Sequence, residues 1–374
     1  MMKVCMVSKH FLPYSGGLEV RVLELARWLV GKGEKVLVLT THEPRTKSSE
    51  VVDGVDVSRS KVWFSLFNGP FSPGVLLDLL EREYDIIDVN LPDPVGSVWA
   101  YIASVIRGKP LFVTYHADIL KDGIIFLPLK IIYGPLHWIL LRRAVRIFVT
   151  SPNYAQSSAV LSGFMAKVVV APSFVDLKRY NPSVDNSKVR EKMGLSGRKV
   201  VLFVGRLVEY KGLDYLVEAA GMLSDAVFVI VGDGPLRGRL ERKVLASGVK
   251  NVLLAGHVGD GELSGYYGAC DVFVLPSVTR QEAFGLVLVE AMACGKPVVS
   301  TNFSGMPYVV DGGGLLVEPR DAVALAEALG KILADSALAS DLAEKGVKRV
   351  RDFFARDVVC SKISEIYKSS VRKG

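Results

Sequence analysis

Two glutamates, eight positions apart, are the residues best suited to hold a polyhydroxylated ligand. Glu282 follows an apolar run that ends at Leu275, and Glu290 lies within the helix predicted over Phe284 to Ala293. An unpaired carboxylate among apolar neighbours costs free energy, so Glu290 needs hydrogen-bond donors. Sugar hydroxyls are one source of donors, and a salt bridge to a nearby arginine or lysine is the structural alternative.

A cationic loop precedes these glutamates in the chain. Gly205 and Arg206 come directly after an apolar run, and Lys211 stands at the start of the next predicted helix. A glycine, an arginine and a lysine within seven residues, at the carboxyl end of a strand, can hold a diphosphate without a metal ion. A pair of solvated surface cations would leave the same pattern.

Two glycine-rich turns also precede predicted helices. Backbone N–H groups and the helix dipole at Gly16 and Gly17 favour an anion, although an ordinary strand–helix turn has the same composition. The run Gly232-Asp233-Gly234 resembles the start of a dinucleotide-binding fingerprint, but Arg237 occupies the position of the third glycine. This second turn therefore argues against a nicotinamide-dependent dehydrogenase.

The elements that must position these residues follow from the hydrophobic pattern. Short Val/Ile/Leu runs alternate with helical patterns along the whole chain, which predicts parallel sheets covered by helices on both faces. A polar stretch at 176–186, which contains Pro182, separates two such series. The prediction is an α/β protein with two Rossmann-like, doubly wound domains, residues 1–175 and 176–352. Ligands of such sheets bind at the carboxyl ends of the strands.

Length and composition agree with this organisation. The chain has 374 residues, of which 50% are hydrophobic, and single cores stop growing at about 250–300 residues. A charged fraction of 23% excludes a disordered chain. The net charge of +7 does not imply nucleic acid; it indicates an anionic small ligand, an anionic membrane surface or simply a soluble surface.

Cysteine usage and the absence of targeting patterns suggest a cytoplasmic protein. The four cysteines are scattered, which fits a reduced compartment and offers no metal site. The first residues lack the pattern of a signal peptide, and the apolar stretch at 123–141 is interrupted by Pro128, Lys130 and Pro135. We therefore expect neither secretion nor a membrane-spanning helix.

Taken together, the motifs resemble those of glycosyltransferase family 4. The resemblance rests on the Glu282-to-Glu290 spacing, the Gly205-Arg206 loop with Lys211, the Gly16-Gly17 turn and the run Cys294-Gly295-Lys296-Pro297, and it covers essentially the whole chain. It implies the GT-B architecture, in which two Rossmann-like domains face each other across a cleft. The first domain would bind the acceptor and the second a nucleotide-diphosphate sugar, and the last helix, within 353–374, would cross back onto the first domain.

The resemblance also implies roles for individual residues. Arg206 and Lys211 would clamp the diphosphate, Glu282 would lie near the hydroxyls of the transferred sugar, and His116 would lie beside that sugar. Glu290 would bind the ribose. The remaining donor-binding positions would be Gly16, Gly17, Gly205, His257, Val258, Phe284, Gly285 and Leu286.

The implied reaction is a transfer that retains anomeric configuration. The leaving diphosphate departs from the face that the acceptor hydroxyl attacks, and the outgoing phosphate helps to deprotonate that hydroxyl. Neither a metal nor a cofactor is expected, because no aspartate is followed two positions later by another, a pair with which many sugar transferases hold a divalent cation.

Two departures from the family pattern are visible. The usual Glu-Gly-Phe-Gly reads Glu282-Ala283-Phe284-Gly285, a change that bears on the choice of sugar. The usual Pro-Asn-Gly-Val-Asp of the hinge reads Pro172-Ser173-Phe174-Val175-Asp176, which puts the geometry of that turn in doubt.

The acceptor, the donor base and sugar, and the oligomeric state are open at this point. The segment 121–146 mixes aromatic and aliphatic residues with basic ones, and it is either a membrane-interfacial surface that reaches a lipid-linked acceptor or a buried helix with basic ends. A glycan or a small molecule could serve as acceptor equally well. The rival functions are a nucleotide-sugar epimerase or phosphorylase on the same scaffold and a non-catalytic nucleotide-sugar-binding protein.

Overall fold

The computed structural model describes residues 1–13, 16–66, 69–116 and 127–371. Contacts between residues divide the chain into two compact units. One consists of Met1–Pro172 together with Arg356–Gly374, and the other of Ser173–Ala355. These boundaries, 172/173 and 355/356, each lie three residues from the predicted 175/176 and 352/353.

The first unit is built on an eight-stranded sheet in the order β10-β9-β8-β7-β1-β2-β4-β3. Every neighbouring pair is parallel except β3–β4. Two further strands, β5 and β6, form an antiparallel hairpin outside this sheet. The strands are β1 (Lys3–Val7), β2 (Lys35–Thr41), β3 (Ser49–Val52), β4 (Val55–Ser60), β5 (Phe64–Leu66), β6 (Gly69–Phe71), β7 (Ile86–Leu91), β8 (Leu111–Tyr115), β9 (Arg146–Val149) and β10 (Val168–Val170).

Helices connect these strands, and two of those described begin at a capping side chain followed by proline. Asp93 accepts a hydrogen bond from the N–H of Gly96 at 2.9 Å, and Ser151 accepts one from the N–H of Tyr154 at 3.1 Å. The helices of this part are α1 (Gly17–Gly31), α2 (Pro73–Glu81), α3 (Pro94–Ile106), α4 (Leu127–Arg143) and α5 (Pro152–Ser157).

The second unit contains a six-stranded sheet in the order β13-β12-β11-β14-β15-β16, with every neighbouring pair parallel. Its strands are β11 (Lys199–Val204), β12 (Ala226–Val231), β13 (Val252–Gly256), β14 (Val272–Leu275), β15 (Val298–Thr301) and β16 (Gly314–Val317). Its helices are α6 (Ser187–Lys192), α7 (Leu213–Met222), α8 (Arg237–Ser247), α9 (Asp260–Ala269), α10 (Leu286–Ala293), α11 (Met306–Val310), α12 (Ala322–Ala334) and α13 (Ser336–Arg349).

The last helix, α14 (Arg356–Val371), belongs to the first unit. The hydroxyl of Tyr367 donates a hydrogen bond to Asp88 of β7 at 2.6 Å, and both residues are buried. Lys362 donates to the carbonyl of Val170 at 2.9 Å. The sheet of the first unit is therefore covered on one face by a helix from the far end of the chain.

The predicted fold class is confirmed: each unit is a mostly parallel sheet flanked by helices. Within the described ranges, none of the helices combines the length and the apolar character needed to cross a bilayer.

Candidate functional site

Close packing of two loops shapes the carboxyl end of β11. The backbone of Gly232, with φ of 134°, lies so near the loop after β11 that a Cβ there would stand 2.0 Å from the carbonyl oxygen of Gly205. Only glycine fits this approach. The Gly232-Asp233-Gly234 turn thus packs closely against the loop that carries Arg206 and Lys211. This packing explains why the turn has the glycines that resemble a dinucleotide-binding fingerprint.

Lys211 and Glu282 form a buried ion pair at this edge of the sheet. The ammonium of Lys211 donates a short hydrogen bond to the Glu282 carboxylate, and the two side chains are only 9% and 12% exposed. The hydroxyl of Ser277 donates to the same carboxylate oxygen at 3.1 Å. Burial alone would lower the pKa of Lys211, but the charge of Glu282 and the neighbouring Tyr210 raise it above its usual value. The lysine therefore stays a cation.

Arg206 differs from Lys211 in being exposed. Among the residues that the structure describes, it has no hydrogen-bond or ion-pair partner. Its backbone carbonyl accepts from the N–H of Val208 at 3.0 Å, and the carbonyl of Val208 accepts from the N–H of Lys211 at 3.1 Å, so tight turns link the two cations. A buried cation and an exposed one on one short loop form a site that an anion can reach from solvent.

The amino end of α10 comes just after the loop that carries Glu282. Gly285 caps the helix with φ of 77°, and a Cβ there would stand 3.0 Å from side-chain carbons of Leu275 and of Leu288. The first N–H groups of a helix have no partners within the helix, so they remain available to an acceptor. The ring of Phe284 is buried against Phe354, with centroids 5.7 Å apart, so Phe284 could contribute only its backbone to a ligand.

Glu290 is half-buried on α10, and the structure gives it a phenol as partner. The hydroxyl of Tyr267 donates to the Glu290 carboxylate at 2.6 Å. Burial, together with the charge of Glu290, raises the pKa of Tyr267 well above its usual value, so the phenol remains protonated and keeps donating. This hydrogen bond holds the carboxylate in one orientation.

The two residues expected near the nucleotide base follow β13. His257 follows its last residue, Gly256, and is exposed, whereas Val258 is half-buried and packs against the core of the second unit. The N–H of Gly232 donates to the carbonyl of Gly256 at 2.7 Å, which ties the end of β13 to the turn after β12.

In the first unit, the predicted residues also follow strand ends. Gly16 is the N-cap of α1, and Gly17 is its first residue. His116 follows β8, and its N–H donates to the carbonyl of Leu91 at 3.2 Å. Its Nε2 is buried and has no hydrogen-bond partner in the described part of the chain. Burial and the nearby Arg21 hold the pKa of His116 well below its usual value, so the imidazole is neutral.

Comparisons with known proteins decide the family. The family model for Glycosyltransferase Family 4 matches residues 15–179, and that for Glycosyl transferases group 1 matches residues 185–349. A D-rhamnosyltransferase of Pseudomonas aeruginosa is 30% identical over 94% of this chain and 92% of its own length. The chain belongs to glycosyltransferase family 4.

Two further similar proteins agree with this chain in length or fold. An O-antigen chain mannosyltransferase C of Escherichia coli is 28% identical over 98% of each chain. The structure of Anabaena HepE, solved in complex with UDP and glucose, has a TM-score of 0.81 at 23% identity and covers 99% of this chain and 100% of that one, which shows the shared fold. This family 4 protein is therefore a glycosyltransferase of the hexosyltransferase class that uses a nucleotide-sugar donor, with the GT-B fold.

In this glycosyltransferase, Lys211 and Glu282 make direct contact, although the sequence suggested separate roles for them. Two residues at the site were missed. Tyr267 lies on α9, a helix that the sequence did not predict, and nothing in the local pattern links it to Glu290, 23 positions away. Ser277 lies two residues after the end of β14, where site residues of parallel sheets are found, and this position was the available signal.

Proposed function

We propose that the enzyme transfers a hexose from a nucleotide-diphosphate sugar to an acceptor hydroxyl, with retention of configuration and without a metal ion or cofactor. The observation that carries this proposal is the pair of linked cations: buried Lys211, fixed by Glu282, and exposed Arg206 on the same loop. Fixed positive charge at that place suits the negative charge that grows on the leaving diphosphate.

The carboxylates have different tasks in this proposal. Glu282 faces the lysine, so it holds the clamp in place and offers its remaining oxygen to a hydroxyl of the sugar. Glu290 is oriented by Tyr267, and a fixed carboxylate is suited to accept both hydroxyls of a ribose. The exposed His257 and half-buried Val258 would meet the base.

The first unit binds the acceptor in this proposal and also contributes groups that contact the donor. Gly16 and Gly17, at the amino end of α1, approach the distal phosphate, where helix N–H groups favour an anion. His116, held neutral with a buried and unpartnered Nε2, lies beside the transferred sugar and can exchange a hydrogen bond with one of its hydroxyls. The outgoing phosphate takes the proton of the acceptor hydroxyl.

The acceptor in this proposal is a saccharide, either free or joined to a lipid. Support comes from the Escherichia coli relative, which is named for its action on an O-antigen chain. We place the enzyme in the cytoplasm, peripherally on an anionic membrane face.

Removal of either cation tests the clamp. Arg206→Ala and Lys211→Ala should each lower kcat by about 10²–10³, because a fixed donor to developing charge is worth about 3–4 kcal/mol. Initial rates with saturating nucleotide sugar measure this. Arg239→Ala is the matched control, since Arg239 is an exposed cation of the same unit, paired with Glu209 and Asp214 at 2.6 Å each.

Arg206→Ala is decisive, because this exposed side chain can be removed without disturbing packing. Lys211→Ala leaves the buried Glu282 without its cation, so the double variant Lys211→Met/Glu282→Gln separates loss of fold from loss of catalysis. A wild-type kcat for Arg206→Ala would reject the clamp.

The same assay in excess EDTA should keep full activity, and NMR of the first product should show the donor's anomeric configuration. A requirement for Mg²⁺ would reject metal independence, and an inverted product would reject retention of configuration. Turnover without acceptor would favour an epimerase.

A further inference from the structure

The β5–β6 hairpin exposes large aromatic side chains. Trp63 is 69% exposed and Phe64 is 54% exposed. The ring of Phe64 stacks on that of Phe71 with centroids 4.8 Å apart, and Trp63 meets Phe71 edge-on at 6.4 Å. We call Trp63, Phe64 and Phe71 the aromatic patch. Exposed apolar side chains grouped in this way mark a binding surface more often than chance exposure does.

The aromatic patch lies at the edge of the sheet where ligands bind. Strand β4 runs parallel to β2 and ends at Ser60, so the chain leaves it at the carboxyl edge and enters the hairpin three residues later. The Gly16-Gly17 turn after β1 and His116 after β8 belong to the same edge. In open α/β sheets this edge holds the ligand.

A small polar cavity adjoins the aromatic patch. Phe71 meets Trp99 of α3 edge-on at 5.6 Å, and the indole Nε1 of Trp99 is buried without a hydrogen-bond partner in the described ranges. The cavity has about 10 Å³ of room for the centre of a water-sized group, enough for a single hydroxyl. Its polar lining comes from Ser8, Thr40, Thr41, Ser72, Asp93 and Trp99.

Burial of the Asp93 carboxylate in this cavity costs free energy. It is 4% exposed, and burial raises its pKa to about 6, although the N–H of Gly96 and the charges of Lys9 and His10 act in the opposite direction. A buried donor without an acceptor and a carboxyl group with a raised pKa line the same cavity, a combination more typical of a binding site than of a core.

We propose that the aromatic patch and the adjoining cavity form a saccharide subsite that holds the acceptor. The inference rests on the proposed transfer to an acceptor hydroxyl. One face of a pyranose carries C–H groups, which are attracted to the negative face of an aromatic ring, and its hydroxyls suit Asp93 and Trp99. In this subsite the aromatic rings contact the C–H face of the pyranose, and the polar cavity forms hydrogen bonds with one of its hydroxyls.

A lipid surface fits the aromatic patch less well. Anionic bilayers attract clusters of lysine and arginine beside aliphatic side chains. The aromatic patch adjoins Lys61 in the chain, but through Trp99 it borders the cavity that contains the carboxyl of Asp93. The outer surface of α4, with Arg142, is a better match for lipid. We therefore assign the aromatic patch to a sugar.

Saturation-transfer NMR on the full chain tests this subsite without any donor. Aromatic protons are saturated in the presence of α-mannobiose, maltose, cellobiose or chitobiose, and transfer to the sugar C–H protons is measured. At least one disaccharide should give a signal with the wild type. Trp63→Ala and Phe64→Ala should each weaken its binding by roughly 3–10-fold, as loss of one aromatic contact implies. Trp138→Ala, which removes a tryptophan of α4 that is 49% exposed, should leave the signal unchanged.

Two results would overturn the subsite. One is the absence of transfer to every disaccharide, and the other is an equal effect of Trp63→Ala and Trp138→Ala. If Trp63→Ala instead lowered binding to phosphatidylglycerol vesicles, the aromatic patch would belong to a membrane contact. Failure here leaves the diphosphate clamp untouched, because that clamp is judged by the kcat of Arg206→Ala.

Discussion

At the scale of single residues, the Lys211–Glu282 pair holds a positive charge in place at a cost in folding stability. Lys211 and Glu282 are both nearly buried, and desolvation of two ions is rarely recovered in full by their attraction. Glu282 also takes a hydrogen bond from Ser277, which restrains the carboxylate on which the lysine depends. Such a pair makes little sense as a stabilising device; in the proposed mechanism, it keeps a cation in one place before the donor binds.

Burial of the Asp93 carboxylate should also lower the stability of the protein, by an amount that depends on pH. Its folded-state pKa of about 6 lies above the ordinary 3.8, so the folded state holds the proton more tightly. Stability contributed by this proton is present below pH 4 and is lost as pH rises to about 6. Asp93→Asn keeps an acceptor for the N–H of Gly96 but carries no charge. We expect the variant to be more stable than wild type at pH 8, by an amount of order 2–3 kcal/mol, and the gain to shrink towards pH 4.

Thermal unfolding at pH 4, 6 and 8 measures this difference. Asp321→Asn is the control, because Asp321 is an exposed N-cap that accepts from the N–H of Ala324 at 2.9 Å. A difference between Asp93→Asn and wild type that did not vary with pH would contradict the assignment.

At the scale of elements, a buried hydrogen bond helps to fasten α14 to the first unit, together with part-buried and exposed ones. Tyr367→Phe removes the phenol that donates to Asp88, a buried carboxylate that also accepts a hydrogen bond from the hydroxyl of Thr114 at 3.0 Å. We expect a loss of about 1–3 kcal/mol in the free energy of unfolding. Urea denaturation measures it.

Trp28→Phe provides the comparison for Tyr367→Phe. It removes an exposed hydrogen bond from the indole to Asp357 of the same helix, so it should cost less. Equal losses from the two variants would show that burial of Asp88 has no particular importance for α14.

Regular elements could be predicted where local pattern decides them. Strands such as β8 and β15 follow from the alternation of short apolar runs with helical patterns, because buried parallel strands are nearly continuous apolar stretches. Helix α9 was missed because Gly261, Gly265 and Gly268 lower its helix propensity. Helix α10 begins at Leu286, later than expected, because Gly285 adopts a left-handed cap.

The candidate site was predictable only in part for a related reason. Residues at strand ends, such as Arg206 and Glu282, can be found from the alternation of strands and helices. Contacts such as Tyr267 to Glu290 join elements far apart in the chain and leave no local trace. The same holds for the cavity between Asp93 and Trp99, which depends on how β6 packs against α3.

At the scale of the whole molecule, the net charge of +7 suits contact with an anionic membrane, and α4 has an exposed surface that fits such a contact. Leu136, Trp138 and Ile139 are 40%, 49% and 37% exposed, and the guanidinium of Arg142 lies 5.2 Å from the centroid of the Trp138 ring. The opposite side of the helix, including Leu140 and Leu141, is buried. Lys121 and Phe126 of the predicted basic-apolar segment lie outside the described residues.

Vesicle binding tests this surface. Trp138→Ala/Arg142→Ala should lower co-sedimentation with phosphatidylglycerol vesicles by roughly tenfold, since a basic residue contributes about 1 kcal/mol at an anionic surface and the indole adds its own burial. Arg239→Ala, on the second unit, is the control, and phosphatidylcholine vesicles should bind neither protein strongly. Binding that ignored both lipid charge and the double variant would make α4 an ordinary surface helix.

The path of the chain between its two units has a consequence for biosynthesis. The chain leaves the first unit at Pro172 and returns at Arg356, and the N–H of Val175 donates to the carbonyl of Phe354 at 3.0 Å, so both ends of the second unit meet. On the ribosome, the second unit has all its residues before α14 is translated. The first-made sheet is thus the last to be finished, and Asp88 stays uncovered on the nascent chain until Tyr367 emerges from the exit tunnel.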